Sequence, residues 1–202
     1  MAAGRGFPFR RLVLASGNAG KLREFAALLA PRGIELVLQS QFGVQPAEET
    51  GKTFEANALL KARHAARGSG LPALADDSGI EVDALGGAPG VRSARYAGEG
   101  ASDADNVNKL LEALREVPEP QRGARFRCVI ALVSSADDES PLLARGSWEG
   151  HIVRAPRGGG GFGYDPVFVP TGSTITSAEM SAAAKNAVSH RGQALARLLE
   201  SL

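Results

Sequence analysis

The chain is 202 residues long with 44% hydrophobic and 22% charged residues, ordinary values for a soluble globular protein with one full core, or one core shared by two lobes. Lys and Arg total 23 against 22 Asp and Glu, a formal net charge of +1, so no global field calls for nucleic acid or a membrane surface as partner. The single cysteine, Cys128, excludes an internal disulfide and a cysteine-based zinc site, and it fits a reducing compartment.

No apolar run approaches the roughly 20 residues of a membrane-crossing helix. Met1 to Arg10 lacks the apolar segment of a signal peptide and reads as an extension before a single domain spanning 11–202. Arg11 to Ala15 is a short apolar run, a first strand. It leads into Ser16-Gly17-Asn18-Ala19-Gly20-Lys21 and then a helix with Leu22, Phe25, Ala26 and Leu29 on one face, ended by Pro31 and Gly33. Ile34 to Leu38 is a second strand, and this strand–loop–helix–strand opening is typical of α/β proteins. Thr53 to Arg67 is a second helix, stopped by Gly68. Apolar runs at Pro72–Ala75 and Ile80–Leu85 flank Asp76-Asp77-Ser78-Gly79. Ser102 and Asp105 open a third helix with a capping-box pattern. Phe126–Ser134 and Leu142–Trp148 form a strand pair, Arg157–Asp165 a glycine-rich loop, and Ser189–Leu202 a closing helix. The expected architecture is one α/β unit with a mixed sheet.

Five stretches carry chemistry. Ser16 to Lys21, between a strand and a helix N-terminus, suits a phosphate: glycines allow close approach, the helix dipole favours an anion and Lys21 adds full charge. It is not a Walker A loop, because Leu22 follows the lysine. Glu48 and Glu49 are adjacent carboxylates that could hold Mg²⁺ or form a solvated turn. Lys61 lies on an otherwise apolar stripe with Phe54, Ala58 and Ala65, so it either snorkels or meets a buried anion. Of Asp76 and Asp77, strand alternation sends only one toward a given side; one is a metal ligand or base and the other supports it, unless both belong to a turn. Phe162, Gly163, Tyr164 and Asp165 follow four glycines and suit a loop that stacks on a flat base and reads its polar edge. Lys185, followed by Ser189-His190-Arg191-Gly192, places two firm cations and one titratable one beside a helix N-terminus, where they oppose the dipole and call for an anion or a keto group.

The order of Ser16–Lys21, Glu48–Gly51, Asn57–Arg63, Ala75–Gly79, Gly86–Tyr96, Gly160–Pro166 and Ser189–Gly192 closely resembles the inosine triphosphate pyrophosphatase family, from about Leu12 to the C-terminus. The resemblance implies an elongated mixed sheet with flanking helices and two lobes around a central active-site cleft. It implies Mg²⁺-dependent hydrolysis of dITP, ITP and XTP or dXTP to monophosphate and pyrophosphate by a cytoplasmic homodimer. It further implies that Ser16, Gly17, Asn18, Ala19, Gly20 and Lys21 cradle the triphosphate, with Lys61 near the phosphates. Asp77 is then the general base and shares the metal with one of the glutamates, Glu48 being favoured over Glu49. Ser78, Phe162, Gly163, Tyr164, Asp165, Lys185, His190 and Arg191 match substrate-binding positions. A related pyrimidine triphosphatase would carry a Ser/Arg-based first loop instead, and a non-catalytic nucleotide-binding regulator would not need Asp77 and Lys21 together.

Overall fold

The computed structural model describes residues 9–201, so most of the expected extension, 1–10, lies outside the described residues. Phe9 packs against the core. Six strands form one sheet in the order β2-β1-β3-β4-β5-β6: β1 (Arg11–Leu14), β2 (Glu35–Leu38), β3 (Ala73–Val82), β4 (Gly123–Val133), β5 (Leu142–Ile152) and β6 (Phe168–Pro170). β1 runs parallel to both neighbours, with Leu14 opposite Leu38 and Leu74, and β6 runs antiparallel to β5. The sheet is mixed. Five α-helices flank it: α1 (Ala19–Leu29), α2 (Phe54–Ser69), α3 (Asp103–Ala113), α4 (Ala182–Val188) and α5 (His190–Glu200).

The local rules explain most boundaries. The Asn18 side chain caps α1 by accepting the Lys21 N–H at 3.0 Å, and Thr53 caps α2 by accepting the Ala56 N–H at 3.1 Å. Ser102 and Asp105 form the expected reciprocal capping box on α3. Gly68 does not stop α2, which continues to Ser69 and ends at Gly70, in the left-handed region at φ 69°. Gly68 answers to packing instead: a Cβ there would lie 2.4 Å from Val44 Cγ2. Asp76-Asp77-Ser78-Gly79 is no turn either, since β3 runs straight through it. The closing helix, expected over Ser189–Leu202, is α5 (His190–Glu200); α4 is an additional helix ahead of it, set off at Ser189, whose extended backbone (ψ 159°) breaks the run.

The chain forms two compact units. One comprises the residues up to Asp77, Cys128–Gly146 and Arg191 onward; the other comprises Ser78–Arg127 and Ser147–His190. Neither is one continuous stretch, which is why no linker marks a boundary in the sequence. The first unit buries Leu12, Leu14 and Leu74 of the sheet against Phe25 and Leu29 of α1 and Leu195 and Leu198 of α5. The second buries Ile80, Val82, Phe126 and Trp148 with Leu110 and Leu114 of α3. Among the described residues, no helix is long and apolar enough to cross a membrane.

Candidate active site

In the first unit the chain leaves β1, adds β2 on one side and then returns to place β3 on the other. That reversal makes the carboxyl end of β1 a topological switch point, the position where α/β sheets bind ligands. The loop Ser16–Lys21 leaves β1 there. Ser16 Oγ accepts the Asn18 N–H at 3.1 Å, which bends the loop into the start of α1. Opposite Leu14 stands Leu74 of β3, so Asp76 and Asp77 follow two and three residues past the last β1 pairing.

The pleat sends those two carboxylates to opposite faces, and their partners show it. Asp76, 1% exposed, meets α1 and α5: its Oδ2 lies 3.1 Å from the Lys21 ammonium and 2.9 Å from Arg191 Nη2. Arg191 also pairs with Glu24 of α1. The cation at the N-terminus of α5 is therefore stabilised by carboxylates of the chain itself. Asp77, 4% exposed, meets α2. Its Oδ1 accepts from the Lys61 ammonium at 2.8 Å and its Oδ2 from Asn57 Nδ2 at 3.2 Å. The same Lys61 ammonium lies 2.8 Å from Glu49 Oε1. Lys61 thus reaches a buried anion and does not snorkel.

Burial alone would raise the Asp76 carboxyl, but Lys21, Arg191 and Lys61 outweigh it and hold Asp76 far below the ordinary carboxylate value. At Asp77 burial prevails: together with the Glu49 charge it lifts the carboxyl above the ordinary value against the pull of Lys61. Neighbouring carboxylates thus differ in basicity, Asp76 a fixed anion and Asp77 the stronger proton acceptor. Burial would lower Lys61, yet Asp77, Asp76 and Glu49 keep it charged. Cys128, with its sulfur 3.9 Å from Asp76 Oδ2, is pushed up to about 12 by burial and by the Asp76 charge. Since the thiolate is the reactive form, native protein at pH 8 is expected to resist a chromogenic disulfide reagent and to react once unfolded in guanidinium. Rapid labelling of the native protein would contradict this burial.

In the second unit the glycine-rich loop closes on its own aspartate. Asp165, 2% exposed, accepts from the Phe162 N–H at 2.9 Å, the Lys185 ammonium at 2.5 Å and Ser177 Oγ at 2.9 Å. Gly161 adopts φ 72°, and a Cβ on it would overlap Asp165 Oδ2 at 2.0 Å, so glycine is required there twice over. The Gly163 N–H donates to Asp103 at the start of α3, 2.7 Å away. Lys185 lies 5.0 Å above the half-buried Phe162 ring. His190 stacks on Phe126 with ring centroids 4.7 Å apart and planes inclined by 10°.

The Ham1 family matches residues 12–201. The chain belongs to the Ham1 family. Its relatives include proteins named dITP/XTP pyrophosphatase from Shigella flexneri, 57% identical over 96% of this chain and 98% of that protein, and from Methylococcus capsulatus, 58% identical over 96% of each. Among solved structures, a HAM1 protein from Coxiella burnetii aligns with TM-score 0.87 and 51% identity over 95% of this chain and 97% of that chain. The Staphylococcus aureus Ham1 protein gives 0.82 and 38% over the same shares.

Within this Ham1 fold the sequence-derived residues separate by unit. Ser16–Lys21, Lys61, Asp77 and Arg191 gather in the first; Ser78, Phe162–Asp165, Lys185 and His190 belong to the second. Of the expected residues the Tyr164 ring needs correction, and Glu48 and Asp165 lie in the following surroundings. Glu48 is exposed, and Glu49 is the glutamate whose carboxylate shares Lys61 with Asp77. Tyr164 is not a stacking ring: it is 4% exposed, packs in the core of its unit and donates its hydroxyl to Ser93 O at 2.8 Å. The Asp165 carboxylate is engaged within its own unit, where it holds the Phe162 N–H and Lys185 in place. Sequence reading passed over Glu24, Asn57, Asp103 and Ser177 as site residues. For Asn57 a signal existed, a polar residue four before Lys61 on the same helical face; for the others the contacts are long-range and leave no local pattern.

Proposed function

We propose that this chain hydrolyses non-canonical purine nucleoside triphosphates, namely dITP, ITP and XTP or dXTP, to the monophosphate and pyrophosphate, and so keeps them out of DNA and RNA. The observation that carries the reading is one buried ammonium, Lys61, set 2.8 Å from each of two carboxylates, Glu49 and Asp77. A charged lysine gripping two acids beyond a strand end is a site built for handling charge, and the relatives named above supply its class. Gly17 adds support: a Cβ there would meet nothing within 4 Å and its φ is not positive. Neither packing nor backbone demands glycine there, and the open space is compatible with close approach of a ligand.

Mg²⁺ is the proposed cofactor. Among the described residues no group of three or more His, Cys, Asp or Glu side chains is placed to hold a metal. Mg²⁺ does not need one, because it keeps several waters and uses one or two carboxylates with substrate phosphates. Glu49 and Asp77 match that donor set, and Asp77, its carboxyl lifted by burial and by Glu49, favours an added cation. When bound, the ion would neutralise phosphate charge and orient the leaving group.

The chain's own residues then do the following. Lys21 and the amides of Ser16–Lys21 bind the phosphate chain. Asp77 takes the proton of the attacking water, whose oxygen bonds to the α-phosphorus while the bond from that phosphorus to the bridging oxygen breaks. Pyrophosphate leaves, and Lys61 balances the charge around Asp77. Catalysis is positioning and electrostatics, as in other phosphoryl transfers. Phe162 stacks on the purine, and Lys185 with His190 supplies donors for the 6-keto oxygen that adenine lacks. A cytoplasmic homodimer without nucleic-acid or membrane partner completes the proposal, on the strength of the family resemblance.

Pyrophosphate release from a panel of triphosphates, with and without Mg²⁺, tests this reading. A site built on buried hydrogen bonds discriminates by about 10⁴-fold, so dITP and XTP are expected to exceed dATP and the pyrimidine triphosphates by that order. Guanine shares the keto group and must be refused at its 2-amino group. Equal kcat/KM for dGTP and dITP would exclude a pool-cleansing role.

A further inference from the structure

We infer that Asn57 is a positioning residue of this centre, its side-chain amide tying the loop that carries Glu49 to Asp77 and so fixing the spacing of the two carboxylates. The inference rests on the pyrophosphatase reading for its consequences, but its geometry is independent of that reading. Asn57 is 0% exposed on α2. Its Oδ1 accepts the Gly51 N–H at 2.7 Å, and its Nδ2 donates to Asp77 Oδ2 at 3.2 Å. The orientation of the amide is forced, because a backbone N–H can only donate and a carboxylate can only accept. Asn is the small side chain that satisfies both at once.

A second observation comes from the other side of the contact. A Cβ on Gly51 would fall 2.5 Å from Asn57 Oδ1 and 2.9 Å from Ala56 Cβ, so the loop lies against α2 closely enough to require glycine. Asn57 and Lys61 stand one helical turn apart on the same face. Each links the Glu49–Gly51 loop to Asp77: Lys61 by charge through Glu49, Asn57 by hydrogen bonds through Gly51. Lys61 could hold the acids over a range of positions, since an ammonium is a rotatable point charge. The planar amide of Asn57 sets one.

The test compares Asn57→Ala, Asn57→Asp and Gly51→Ala with the wild type. The readouts are kcat and KM for ITP, Mn²⁺ binding followed by electron paramagnetic resonance without nucleotide, amide exchange at Gly51 and thermal unfolding. Residues that orient metal ligands typically contribute about 10–100-fold. In Asn57→Ala we expect kcat and Mn²⁺ affinity each to fall by that order, with KM for ITP little changed and the Gly51 amide exposed to exchange. Asn57→Asp keeps the acceptor for Gly51 but faces Asp77 with a carboxylate; it should keep Gly51 protected yet lose kcat. Gly51→Ala should reproduce the loss with every polar side chain intact, and with Asn57→Asp it decides the matter if Asn57→Ala does not fold. A folded Asn57→Ala or Gly51→Ala protein with kcat and Mn²⁺ affinity within about twofold of wild type overturns the inference. Wild-type protein that releases no pyrophosphate from ITP overturns the functional reading instead, and the Mn²⁺ and exchange arms still decide the role of Asn57.

Discussion

Asp77→Asn is expected to lower kcat for dITP by about 10²–10⁴-fold, the usual loss when a general base is removed, with a much smaller effect on KM. The reason lies in the two contacts that define Asp77: Lys61 donates to one oxygen and Asn57 to the other. An asparagine keeps the shape but offers a single acceptor, so its NH₂ must face either the ammonium or the Asn57 amide. Burial and Glu49 give the native carboxyl its raised proton affinity, and an amide has none to offer at neutral pH. The mispaired donor should also cost about 1–3 kcal/mol of stability, which thermal unfolding will separate from the kinetic loss. Retention of more than about half the wild-type rate is incompatible with proton abstraction by Asp77.

Asp76→Ala is expected to damage the fold more than any other change at this site. Arg191 is 1% exposed and has Asp76 and Glu24 as carboxylate partners, while the Lys21 side chain, 15% exposed, also lies on Asp76. Removing one member of a buried ion pair typically destabilises by about 3–5 kcal/mol, because the remaining charge stays buried without its partner. Asp76→Asn should cost less, since it still accepts from the guanidinium. Urea unfolding, with its midpoint and slope compared among the three proteins, measures the difference. A loss below about 1 kcal/mol for Asp76→Ala would mean that the other partners of Arg191, Glu24 among them, sustain it.

The two predictions show how differently neighbouring residues are used. Identical side chains at 76 and 77 differ in role because β3 turns one toward α1 and α5 and the other toward α2. The period-2 rule requires that they part, but does not say which face holds which helix. Glu48 and Glu49 part in a similar way: Glu49 meets Lys61 of α2, while Glu48 is exposed. Tyr164 and Phe162 also look alike in sequence, two rings after a glycine run. Core packing and the Ser93 carbonyl, 71 residues away in the chain, hold Tyr164 inward.

What the sequence by itself determined is what local rules reach. The alternation of apolar runs and helical stripes gave an α/β chain with a mixed sheet, because periods of 2 and 3.6 are imposed on each segment by its own backbone. The cap of α3 and the loop–helix junction at Ser16–Lys21 were legible for the same reason, and the order of motifs pointed to the family. Tertiary structure alone decided the pairings. Arg191 finds Asp76 at a separation of 115 residues, Lys185 finds Asp165, and Asn57 joins a loop to a strand. A charge or amide is indifferent to where along the chain its partner lies, since its energy depends on distance and burial in space.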